Sequence, residues 1–271
     1  MAPVSPFELI SRHDRWFLAG GLGLIITLSW LWLLAGAGMG MSGLEMTRMS
    51  IGDSAFMEMP MMRPAQWSIS YAALMFFMWW IMMVAMMLPS AAPVILLAAA
   101  LNRKATPGHA PFGASGAFTL GYLAGWAAFS LTAVAVQWGL AEVGLLSDML
   151  VINSAYLAGC VLLAAGIWQF TPLKLACLRH CRSPVHFLTQ ARRPNDAGAM
   201  IIGLHHSLFC VGCCWFLMLL LFVGGVMNLY WIAGLTLFVW LEKGLPSRYR
   251  IRQIAGSALM FSGLGLLLVG V

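Results

Sequence analysis

Uncharged apolar runs long enough to cross a bilayer recur along this chain, and they constrain its fold more than any other feature. A helix rises about 1.5 Å per residue, so about 20 apolar residues cover a hydrocarbon core roughly 30 Å thick. Seven runs come near that length: 16–37, 71–101, 115–137, 152–171, 201–223, 227–241 and 255–271. The last two are the shortest and barely reach across. All seven are continuous rather than alternating, which argues against a β-barrel. No internal repeat is evident, so an inverted-repeat transporter is not supported. The expected fold is all-α, a polytopic transmembrane helical bundle forming one integral membrane domain over residues 1–271. It has seven spans, or six if a short run fails to cross. Composition agrees. Hydrophobic residues make up 61% of the chain and charged residues 9%, against about 25% charged in a soluble domain. Lipid is the solvent that such a chain needs.

The charges then report orientation. Lys and Arg number 15 against 9 Asp and Glu, a balance that would suggest nucleic acid in a soluble protein. With the N-terminus cytoplasmic, the inner segments carry Arg12, Arg15, Arg103, Lys104, Lys174, Arg179, Arg182, Arg192, Arg193, Lys243, Arg248, Arg250 and Arg252. Only Arg48 and Arg63 fall outside. That asymmetry follows the positive-inside rule and supports seven spans with the C-terminus outside. The basic residues need no nucleic acid. The first run is longer than the apolar core of a cleaved signal peptide, which identifies it as a signal anchor.

Methionine is the first chemical anomaly. Of 20 methionines, fourteen lie between Met39 and Met87. On a helical wheel with Met82 at zero, Met75, Met78 and Met86 fall within about 40° of it. Pro89 and Pro93 share that face, and Met83 and Met87 lie to one side. Each proline frees a carbonyl one turn back, which must face protein or a polar cavity. Methionine packs irregular gaps well, so a stripe alone has a plain packing explanation. The outer segment ahead of it also carries Met39, Met41, Met46, Met49, Met57, Met59, Met61 and Met62. That segment is polar and has little need of packing residues. Neutral, soft thioethers in such numbers favour Cu(I) over Zn(II).

Cysteine and histidine form two further groups. In GLHHSLFCVGCCWF, His206, Cys210, Cys213 and Cys214 share a helical arc of about 100°, with His205 at one edge. Thiols spaced i, i+3 and i+4 can converge on one ion. Packing cysteines or a disulfide are the plainer explanations, but adjacent cysteines bridge poorly. In CLRHCRSPVH, Cys177, His180 and Cys181 place two thiols and an imidazole on a basic inner segment. Arg179 and Arg182 beside them favour the thiolate. An ordinary basic loop with incidental cysteines explains this group equally well. Glu242 and Lys243, in WLEKGLP, are expected to anchor the inner end of the sixth span.

The strings MWWIMMVAMMLPSAAP and FCVGCCWFLMLLLFVGGVMNLYWIAGLTLFVWLEKGLP resemble an uncharacterised bacterial family of predicted metal-binding integral membrane proteins, some of whose members are labelled copper chaperone. The resemblance covers about residues 16–260. It maps the family's methionine–proline block onto Met82, Met83, Met86, Met87, Pro89 and Ser90. Its cysteine block falls on Cys210, Cys213, Cys214 and Trp215, and its acidic–basic pair on Glu242 and Lys243. It implies a multi-pass protein of the bacterial inner (plasma) membrane that handles copper. A soluble copper-carrying protein or a copper enzyme is the partner it suggests.

The leading expectation is a Cu(I)-trafficking membrane protein. Its candidate metal ligands are Cys210, Cys213, Cys214, His206 and His205, Met78, Met82, Met83, Met86 and Met87, and Cys177, His180 and Cys181. An alternative is a membrane oxidoreductase using a copper centre or a Cys210/Cys213 thiol pair, with or without a quinone. A third is a structural subunit that needs no metal. No motif in the sequence names a reaction.

Overall fold

The computed structural model describes residues 6–50, 67–105, 112–147, 149–182, 188, 196–245 and 250–269. The helices are α1 (Pro6–Leu34), α2 (Gly43–Ser50), α3 (Ile69–Ala105), α4 (Phe112–Glu142), α5 (Ala155–Phe170), α6 (Pro172–Arg182), α7 (Asp196–Leu219), α8 (Leu221–Gly224), α9 (Leu229–Gly244) and α10 (Ile251–Val269). Among the described residues there is no strand, only one isolated bridge between Leu146 and Ile152. The all-α expectation holds.

Each of the seven apolar runs is helical, but not each helix is long enough to span. Five segments are long and apolar enough to cross a membrane: Trp16–Leu34, Ile69–Asn102, Gly113–Glu142, Asp196–Gly224 and Ile251–Val269. The fourth run ends at a break, where α5 and α6 meet at 64° and together pass as a sixth, bent segment. Thr171 makes the break because Pro172 has no N–H to continue the ladder. Thr171 instead closes α5, donating from its backbone N–H and hydroxyl to the Trp168 carbonyl. The sixth run, α9, has only 16 residues.

Glycine sets the closest packing. α4 lies along α7, and a Cβ on Gly121 would overlap the Met200 carbonyl. One on Gly125 would overlap the Ser207 hydroxyl, and one on Gly203 the Phe118 carbonyl. Gly121 and Gly125 are four apart, the spacing that lets two helix backbones approach closely in lipid. α5 and α10 pair in the same way, with Gly159 against Gly263 and Gly166 against Gly256. The outer face of α10 is apolar and exposed at Phe261, Leu268 and Val269.

The methionines of α3 lie at the centre of this packing. Met75, Met78, Met82, Met83, Met86 and Met87 are all fully buried. Burial therefore runs past the four-residue stripe and includes both side positions. Pro93, expected on the same face, is exposed. In the outer segment, Met46 is also in the core rather than in a polar surrounding. Its helix α2 is started by a reciprocal cap: the Ser42 amide donates to Glu45 at 2.8 Å, and the Glu45 amide donates to the Ser42 hydroxyl at 3.3 Å. The Ser42 hydroxyl, which also donates to the Glu45 carboxylate at 2.7 Å, and then the Ser42 amide hold the Glu45 carboxyl below the usual carboxylate range. α2 then docks on α9, where Thr47 accepts from the Leu229 amide at 2.9 Å. Met57, Met59, Met61 and Met62 lie outside the described residues.

The α4–α7 contact makes a clear prediction. Gly121→Leu should destabilise the fold by about 2–3 kcal/mol, the usual scale of overpacking. Gly116→Leu, on the same helix with open space around it, should leave the thermal unfolding midpoint in detergent unchanged.

Candidate metal centre

The two cysteine groups that look separate in the sequence form one cluster. α6 folds back from the break and packs on α7. A Cβ on Gly212 would come within 3.0 Å of Cys177 Sγ, so the glycine makes the room that α6 needs. Cys181, on the same helix, is buried close to Cys210 and Cys213. Cys210 neighbours the thiols of Cys181, Cys213 and Cys214. Cys210, Cys213 and Cys214 are fully buried, and all six cysteines of the chain are free. The Cys213 and Cys214 thiols also donate to the Cys210 carbonyl, at 3.1 and 2.9 Å.

α3 supplies the thioether. Met87 Sδ lies 3.9 Å from Cys214 Sγ. Two metal–sulfur bonds of about 2.3 Å end to end span about 4.6 Å, so a small widening or a bent bridge would admit one ion between these sulfurs. The Met87 carbonyl accepts from Ser90 Oγ at 2.8 Å and from Tyr122 Oη at 3.3 Å. Tyr122 Oη also lies 3.2 Å from Cys210 Sγ, which links α4 to the cluster. Tyr122 is not among the residues that the sequence pattern singles out. Its only sign is a polar aromatic in the middle of an apolar span, one residue past Gly121.

His206 is buried beside the thiols, with its ring 5.8 Å from Tyr122 and 6.3 Å from His180. Among the described residues its buried Nδ1 has no hydrogen-bond partner, a costly state for a nitrogen that can bind metal. His180 stacks on Phe209 at 3.8 Å, half-buried. His205 is exposed at the rim, edge-on to Phe209. Cys177 sits at the α6–α7 contact. Met78, Met82, Met83 and Met86 continue the buried stripe along α3.

Glu242 and Lys243 are not a surface anchor. Lys174 and Glu242 are both buried, and Lys174 Nζ lies 2.9 and 3.0 Å from the two carboxylate oxygens. Arg182 donates to the Glu242 carbonyl through two guanidinium nitrogens. Arg182 therefore serves the helix junction, whereas the sequence pattern assigned it to the neighbouring thiols. Lys243 turns the other way, donating to Ser90 Oγ at 2.9 Å and to Cys210 Sγ at 3.0 Å. Lys174 and Lys243 are thus packed among helices, so they carry no weight as loop charges in a topology count. A sign of this was present for Lys174, which sits between apolar neighbours in TPLKLAC.

The sequence pattern of the PpoB2 family, described as copper chaperone, matches residues 76–266. The chain belongs to that copper chaperone family. The matched segment contains every residue of the sulfur cluster, along with Tyr122, Lys174, Glu242 and Lys243. No curated protein matches the chain, and no solved structure does.

The donors present suit a soft metal. Thiols, a thioether and an unpartnered imidazole are ligands for Cu(I). Among the described residues, no three His, Cys, Asp or Glu side chains are disposed to hold one metal ion together. Cu(I) asks for less, since two sulfur donors suffice for it.

The buried ion pair yields a second prediction. Glu242→Gln would leave Lys174 charged and uncompensated, at a cost of about 3–5 kcal/mol. Replacing both, as Lys174→Met with Glu242→Leu, should recover most of that loss. A double-mutant cycle on unfolding in detergent measures the difference.

Proposed function

We propose that this member of the copper chaperone family is a membrane-embedded carrier of Cu(I), with copper as its cargo. The observation that carries the reading is the joining of α6 and α7 cysteines into one buried cluster with Met87 against it. A packing role would not require two distant cysteine groups to meet.

Any two of Cys210, Cys214 and Cys181 form the tighter end of the site, because thiolate holds Cu(I) better than thioether does. Cys213 and His206 stand beside them as further donors. Met87 begins a line of weaker donors through Met86, Met83, Met82 and Met78, along which the ion moves by ligand exchange. Cys177 and His180, with His205 at the rim, serve exchange at the other side. The five long apolar helices support a multi-pass location in the bacterial inner membrane. The asymmetry of basic residues supports a cytoplasmic N-terminus. A soluble copper-carrying protein or a copper enzyme is the partner that fits such a cargo.

Anaerobic purification in detergent, followed by metal analysis by mass spectrometry, tests the site. The parent should carry copper near one per chain after addition of Cu(I). Cys210→Ser with Cys214→Ser should lower that at least tenfold while the helical signal is kept. No copper in either protein would overturn the reading and leave a thiol redox pair at Cys210 and Cys213, or a structural role. Met86→Ala tests the stripe separately. It should slow copper transfer severalfold in reconstituted vesicles and leave equilibrium copper content unchanged.

A further inference from the structure

The donors at the sulfur cluster pose a selectivity problem. Cysteine and histidine are also the preferred ligands of Zn(II), and thiolates bind divalent ions tightly. Donor chemistry alone does not keep such ions out. The cluster contains one more element, the ammonium of Lys243, 3.0 Å from Cys210 Sγ.

That charge is not cancelled by its neighbour in sequence. Glu242 is committed to Lys174 through both carboxylate oxygens. The other hydrogen-bond partner of Lys243 among the described residues is the neutral hydroxyl of Ser90, at 2.9 Å. Ser90 is itself held by its bond to the Met87 carbonyl. The ammonium is therefore fixed between α3 and α7, facing the sulfurs.

We infer that Lys243 sets the charge selectivity of the cluster, admitting a monovalent soft ion and disfavouring divalent ones. The inference rests on the proposal that the cluster binds Cu(I). An ion bonded to Cys210 Sγ at about 2.3 Å lies about 4–5 Å from the ammonium. At an effective dielectric of about 20, each further unit of positive charge on that ion weakens binding by between about two and three orders of magnitude. Cu(I) meets this repulsion once and Zn(II) twice. With a single Cu(I) on two thiolates the unit carries one negative charge, which Lys243 balances. A neutral assembly is the one a buried site tolerates best.

The test compares Cu(I) and Zn(II) affinities of the full chain in detergent, measured anaerobically by competition with chromophoric chelators. Cd(II) serves as a second divalent probe. Lys243→Met should raise Zn(II) and Cd(II) affinity relative to Cu(I) on the order of several hundredfold. Lys243→Arg, which keeps the charge, should keep the parent ratio. If Lys243→Met does not fold, as judged by thermal unfolding, Lys243→Gln replaces it with the same expectation. A Cu(I)/Zn(II) ratio unchanged in the neutral variants, with Cu(I) still bound, would overturn the role of Lys243 alone. Failure of the parent to bind Cu(I) would overturn the carrier reading and this inference with it.

Discussion

One buried ion pair holds the sulfur cluster together. Lys174 stands near the start of α6, and Arg182 ends it. Both bond to Glu242 on α9, one through the carboxylate and one through the backbone carbonyl. A single residue thus grips α6 at both ends. Cys177 against Gly212 and His180 stacked on Phe209 add to that grip in holding the short basic helix on α7. Lipid offers little resistance to separating helices, so contacts between them must come from close packing and polar bonds. Here the polar bonds place Cys181 against Cys210. The cost of burying two charges is offset by direct pairing in a site where either alone would be destabilising.

The closest backbone contact sits behind the same site. Gly121 and Gly125 bring α4 against α7, and this puts Tyr122 beside Cys210. The cluster is therefore built on two kinds of contact. α4 and α7 meet backbone to backbone and set fixed positions. α3 contributes Met87, whose flexible thioether adapts to what the rigid pair leaves.

Much of this was legible in the sequence, and the exceptions have physical reasons. The apolar runs gave the helices because lipid-length hydrophobicity is a strong and local signal. The spacing of Cys210, Cys213 and Cys214 on one face came through for the same reason, since a helix repeats locally. The contact between Cys181 and Cys210 could not be seen, because it depends on how α6 folds back at Thr171. Lys174 looked like a loop charge since its partner lies 68 residues away. Glu242 and Lys243 looked like an anchor because adjacent residues on a helix face different directions, and each direction leads to a different neighbour. The short span α9 fell at the limit of what length alone can decide.

The cluster draws Met87 from α3, Tyr122 from α4, Cys181 from α6, Cys210 from α7 and Lys243 from α9. These residues are spread over more than half of the chain, and this spread bears on synthesis. At translation rates of about 5–20 residues per second, Lys243 follows Met87 out of the ribosome by roughly ten to thirty seconds. Until α9 arrives, α6 lacks its grip and Cys210 lacks its neighbouring charge. A half-made chain therefore presents the α7 thiols without Cys181 held against them, and the complete cluster comes together only as the last helices enter the bundle.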